Sequence, residues 1–128
     1  MDAPAFENLD LACARTGQAI AEKPSKKLEN LVTSALAVLE EQGVYALFLF
    51  LKTRGGDAAK TIEQKACELL RETPRRAPLL SGDGDVFALL QSMSEDLDKL
   101  LLARDLLRQA LVYARYHARV PQKSESRT

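Results

Sequence analysis

Four arginines, Arg104, Arg108, Arg115 and Arg119, recur near the end of the chain at spacings of four, seven and four. On an α-helix, at roughly 100° per residue, their directions fall within roughly 60° of one another. The residues around them, from Leu100 through Leu106, Leu107, Ala110 and Leu111 to Ala114, are almost wholly apolar. Such a helix is buried over most of its girth and holds a narrow guanidinium stripe outward. Guanidinium forks match phosphate and carboxylate oxygens in geometry. The stripe therefore points to a row of phosphates or to the carboxylates of a partner. Between Leu106 and Val120 the segment carries no acid of its own, so neutralisation within the molecule would have to come from another helix.

Further cations cluster elsewhere. Lys52, Arg54 and Lys60 surround Gly55-Gly56; Lys23, Lys26 and Lys27 lie at the start of a helical pattern; Arg71, Arg75 and Arg76 border a proline-containing stretch. A lysine at a helix N-terminus opposes the helix dipole. Lys26 and Lys27 are on that ground second-rank candidates for contact with something outside the helix, after Lys52, Arg54, Lys60 and the four stripe arginines. Eighteen basic residues balance eighteen acidic ones, so a nucleic-acid contact must rest on local patches rather than on a global field.

The residues do not assemble a catalytic constellation. His117 is the sole histidine, which excludes a paired-imidazole metal triad, and on the final helix it projects roughly opposite the arginine stripe. One RNA-cleaving helical arrangement, an Arg-polar pair followed by His, would need histidine at Ala110 or Ala114. Gly55-Gly56 and Gly82-Asp83-Gly84 lack the Lys-Ser or further Gly that phosphate cradles require. Cys13 and Cys67 are far apart, with no CxxC and no neighbouring His; both read as small core-facing residues in a reducing cytoplasm. No catalytic residue, metal site or cofactor is expected.

These side chains need a scaffold, and the punctuation of the chain defines one. Its 128 residues, 46% hydrophobic and 28% charged, are enough for one domain with a real core. A first helix is expected over Asn8 to Ala21, capped by Asn8, with Leu9, Ala12, Cys13 and Ile20 inward. Ser25 caps a second helix to about Gln42, whose Leu28, Leu31, Val32, Ala35, Leu36 and Leu39 keep the three-and-four spacing, and Gly43 ends it. Val44 to Lys52 is apolar on all sides; it is assigned to helix because no other segment offers a strand to pair with. Thr53 to Asp57 reads as a basic loop, with Asp57 capping a fourth helix, Ala58 to Glu72. The longest loop spans Thr73 to Gly84, Asp85 caps a short fifth helix, and Ser94 caps the last one.

The expected architecture is all-α, a compact bundle of five to six helices over residues 1–120 with short connections that make consecutive helices antiparallel neighbours. Residues 121–128 read as a disordered tail. The Met1-Asp2-Ala3-Pro4 start lacks a basic n-region, and no apolar run approaches bilayer length. A cytoplasmic location with no membrane partner follows.

The stretch LENLVTSALAVLEEQGVYALFLFLKTRG, Leu28 to Gly55, resembles the middle of the small α-helical subunit of type III-B CRISPR effector complexes, the Cmr small-subunit family. The closing LLLARDLLRQALVYARYHARV, Leu100 to Val120, is similar to that family's last helix, and helical order and length fit over roughly residues 8–120. The resemblance implies a non-catalytic subunit of an antiviral ribonucleoprotein that stacks on copies of itself beside the repeated backbone subunits and the large subunit. It implies RNA-binding through backbone contacts to the CRISPR RNA and its target RNA. Carried onto this chain, the contacts are Arg104, Arg108, Arg115, Arg119, Lys52, Arg54 and Lys60, then Lys26 and Lys27. The alternative is a helical adaptor whose basic stripe docks an acidic protein.

Overall fold

The computed structural model describes residues 7–119. These form six helices and no strand: α1 Leu9–Ile20, α2 Lys26–Gln42, α3 Val44–Arg54, α4 Gly56–Glu72, α5 Val86–Met93 and α6 Leu97–Arg119. The all-α bundle read from the sequence is the observed fold, and the 121–128 tail and the first four residues lie outside the described residues.

Local chemistry sets most helix ends. Asn8 Oδ1 accepts from the Leu11 amide at 2.9 Å and Ser25 Oγ from the Leu28 amide at 3.0 Å, each supplying one of the acceptors that a first helical turn lacks. Gly43, at φ 101°, is the single residue between α2 and α3. A side chain there would strain the backbone, and the left-handed turn redirects the chain without a loop.

Three expectations at element ends are corrected. The Thr53–Asp57 stretch is not a loop: α3 runs to Arg54 and α4 begins at Gly56, with only Gly55 between them. Asp57 lies inside the first turn of α4, and the N-cap is Gly55 without a side-chain bond. Ser94 does not open the last helix. Its Oγ donates back to the Leu90 carbonyl at 2.8 Å, closing α5, and Asp96 Oδ1 accepts from the Lys99 amide at 3.2 Å to cap α6. A serine bonding four residues back extends the preceding turn, and the chain then offers its next short acceptor to the following helix.

The core is continuous. All six expected α2 positions are buried, and with them Val44, Leu47, Phe48 and Leu51 of α3 and Ile62, Ala66, Leu69 and Leu70 of α4. Helix formation at α3 resolves the strand ambiguity, since an apolar segment buried on several sides satisfies its own backbone bonds. Fully burying one such side chain contributes about 1.5–3 kcal/mol.

Consecutive helices do not all pair. α2 packs on α3 and α3 on α4, but α1 and α2 each pack on α6, and α1 also touches α4. The cause is a close crossing of α1 on α6. A Cβ placed on Gly17 would lie 2.6 Å from Tyr113 Cβ, 2.7 Å from the Ala114 amide nitrogen and 2.8 Å from the Ala110 carbonyl oxygen. Only glycine admits that approach. The Cys13 thiol donates to the Leu106 carbonyl at 3.4 Å and the Tyr113 hydroxyl to Asp10 Oδ1 at 2.7 Å along the same seam.

The long loop after α4 is pinned at its base. Buried Thr73 donates its hydroxyl to the Leu69 carbonyl, the Leu80 amide donates to the Leu70 carbonyl at 3.0 Å, and Leu79 and Leu80 are buried. α5 then packs on α3, where Tyr45 and Phe87 meet edge-on at 5.5 Å.

Candidate nucleic-acid interface

α2 and α6 run antiparallel, and the arginine stripe of α6 lies on their shared edge. Two acids of α2 meet it. Glu40 Oε2 lies 2.8 Å from Arg108 Nε, and Glu40 Oε1 lies 3.5 Å from Arg104 Nη2, which also donates to the Glu40 carbonyl at 3.3 Å. Arg108 reaches Asp105 Oδ1 at 3.0 Å as well. Three turns away Glu29 Oε2 accepts from Arg119 Nε at 2.5 Å, and Lys26 Nζ lies 3.5 Å from Glu29 Oε1.

The register has a simple origin. Glu29 and Glu40 are eleven residues apart, as are Arg108 and Arg119, and eleven residues close about three helical turns. An antiparallel pair with matched steps of eleven brings both pairs into contact together. The sequence carried that signal in the two spacings, but nothing local says that these two helices are neighbours.

Charge is distributed unevenly along the stripe. At one end Arg104 and Arg108 share Glu40 and Asp105, two cations against two acids. At the other end Arg115, Arg119 and Lys26 have, among the described residues, Glu29 alone. Arg115 forms no ion pair among the described residues, and its Nε is shielded from water without a hydrogen-bond partner. The N-terminal turn of α2, beside this end of α6, adds the positive end of its dipole. The Arg119 hydrogen bond, with help from the charges of Lys26 and Arg119, holds the Glu29 carboxyl below its ordinary range despite some desolvation.

Arg115 and Arg119 also line one shallow depression, about 280 Å³, with Val112 and Tyr116. The Tyr116 side chain is 63% exposed. Its place in this patch went unread in the sequence, although residues 112, 115, 116 and 119 keep the spacing of one helical face.

The other candidates gather at a separate corner. Lys52 and Lys60 line a depression of about 580 Å³ between α3, α4 and the start of α5, with Leu51, Gly55, Glu63 and Cys67. Lys52 Nζ stands 3.9 Å from Glu63 Oε2, while Lys60 is exposed and has no ion pair among the described residues. The Arg54 guanidinium lies 5.3 Å from the Phe50 ring centroid, a cation–π contact. Lys27 is exposed on α2. The nine predicted cations thus form two groups: Arg104, Arg108, Arg115, Arg119 and Lys26 on the α2–α6 edge, and Lys52, Arg54 and Lys60 at the α3–α4 corner, with Lys27 next to the first.

His117 is half-buried on α6, away from the edge. Among the described residues no cluster of three or more His, Cys, Asp or Glu could hold a metal ion, and no helix is long and apolar enough to cross a membrane. No protein-family model, curated protein or solved structure matches the chain.

Proposed function

We propose that this protein is a non-catalytic small subunit of a type III CRISPR ribonucleoprotein, a cytoplasmic antiviral assembly. It stacks on further copies beside the backbone repeat subunits and the large subunit, and its basic edge supports the CRISPR RNA and target RNA. The observation that carries this reading is the net-cationic end of the α2–α6 edge, where, among the described residues, Arg115, Arg119 and Lys26 stand against Glu29. The similarity of the Leu28–Gly55 and Leu100–Val120 segments to the Cmr small-subunit family gives that edge its partner. Phosphate contacts of this kind position a strand without reading its bases.

The second reading is a helical adaptor whose basic stripe docks an acidic protein. Arg104 and Arg108, engaged with Glu40 and Asp105, serve the packing of α6 on α2, so under that reading too the docking cations are Arg115 and Arg119. Salt dependence separates the two. If the edge holds RNA, Arg115→Ala weakens binding at every sequence and lowers the salt slope by about one. The measurement is RNA affinity against salt, with and without the other complex subunits. An unchanged RNA affinity and slope for Arg115→Ala and Arg119→Ala, together with weakened binding of an acidic partner by the same variants, would leave the adaptor.

A further inference from the structure

We infer that Tyr116, with Arg115 and Arg119, forms a subsite for one unpaired nucleotide of an RNA strand, its base on the tyrosine ring and its phosphate on the guanidinium groups. This rests on the RNA reading above and narrows it to one end of the edge and to one mode of contact.

Residues 112, 115, 116 and 119 are neighbours on the surface of α6, so an aromatic ring and two guanidiniums share a single patch. That patch is a depression of about 280 Å³ lined by four residues of α6 alone. Walls from a single helix do not enclose a free ligand, but they present a ring and cations to a passing strand. Tyr116 is 63% exposed, so most of its ring is available to a partner. Single-stranded nucleic acid is held by two elements together, a cationic track for the backbone and aromatic faces for the bases. Both are present here: Glu29 occupies Arg119 but leaves Arg115 without an acid among the described residues, whereas at the Arg104–Arg108 end both cations are matched by acids.

Arg115 adds a reason for the phosphate to settle at this point. Its shielded Nε has no acceptor, and an unpaired buried donor is unfavourable. A phosphate that draws the guanidinium outward supplies the missing acceptor. An acidic peptide would use the cations but would leave the exposed ring without a role.

The test uses the full chain and a fluorescein-labelled oligouridylate, followed by anisotropy over a range of salt. Tyr116→Ala is expected to weaken binding by roughly five- to a hundredfold, the loss of one base–aromatic stack, with an unchanged salt slope because no charge is removed. Tyr116→Phe keeps the ring and stays near the parent affinity. Arg115→Ala weakens binding and lowers the slope by about one. An oligonucleotide with abasic positions binds the parent as weakly as the normal one binds Tyr116→Ala. If the parent binds RNA and Tyr116→Ala binds it equally well, the subsite is wrong while the RNA reading stands. If the parent shows no salt-dependent RNA binding, alone or with its complex, both fall. Loss of oligoglutamate binding in Arg115→Ala, with RNA binding untouched, would overturn the subsite in favour of an acidic protein.

Discussion

The Glu40 carboxylate of α2 lies 2.8 Å from the Arg108 guanidinium of α6 and holds Arg104 on its other oxygen. One acid thus occupies half of a stripe that the sequence displays as four free cations. Partly exposed pairs of this kind contribute about 0.2–1 kcal/mol each. Their larger effect is on availability, because a phosphate at Arg104 or Arg108 must displace Glu40.

Removing that competitor should expose the arginines. If RNA uses this end of the edge, Glu40→Gln raises RNA affinity by roughly two- to fivefold, the equivalent of one partly exposed ion pair. Thermal stability falls by under about 1 kcal/mol. Anisotropy titration beside a melting curve checks both, and an affinity unchanged by the substitution confines RNA contact to the Arg115–Arg119 end.

Gly17→Ala tests the α1–α6 crossing. Helix propensity alone would favour alanine by about 1 kcal/mol. The added methyl instead meets the Ala114 nitrogen and the Ala110 oxygen at under 3 Å, and overpacking typically costs about 1–3 kcal/mol and occasionally more. Backbone atoms cannot swing aside, which puts the overpacking in the upper part of that range, about 2–3 kcal/mol, and leaves a net destabilisation of about 1–2 kcal/mol. A melting temperature equal to or above that of the parent would contradict the packing described.

Glu29 gives the edge a pH dependence. Its folded pKa lies below the ordinary value of 4.5, chiefly through the Arg119 hydrogen bond. The unfolded chain therefore binds the proton first. The stabilisation is present above about pH 4.5 and is lost as pH falls through the folded pKa. Glu29→Gln should be less stable than the parent at about pH 6, and the difference should close as pH falls below 4.5 and through the folded pKa. A difference in melting temperature that stays constant across this range would show that the Arg119 contact is not formed in solution.

The two cysteines should separate in reactivity. Burial, reinforced by the nearby Asp10 charge, pushes the Cys13 thiol up to about 11, and its proton is donated to the Leu106 carbonyl. Cys67 is only half-buried, on the wall of the α3–α4 depression. A thiol reagent near neutral pH should label one cysteine of the folded chain, Cys67, and reach Cys13 only after denaturation. Equal labelling rates would mean that the α1–α6 seam opens readily.

Much of the scaffold was legible because its determinants are local. The three-and-four spacing of Leu28 to Leu39, the Asn8 and Ser25 caps and the Gly43 stop each act within one or two turns, and each is where the spacing placed it. Ser94 failed because a serine can close the helix behind it as readily as open the one ahead. The Thr53–Asp57 stretch failed because two glycines need only one residue outside helix to turn the chain.

The amino-acid sequence by itself determined the helices, the core positions and the alignment of four arginines on one face of α6, since all three follow from the 3.6-residue period and from side-chain hydrophobicity. Only the tertiary structure decided how those arginines are paired. Glu29 and Glu40 are far from α6 along the chain and reach it because α2 packs antiparallel to α6 at a matching eleven-residue step. Ion pairing depends on distances of a few ångströms across an interface, and local periodicity carries no information about which helix lies opposite. A uniform stripe in the sequence therefore became, in the folded chain, a neutralised end at Arg104 and Arg108 and a cationic end at Arg115, Tyr116 and Arg119.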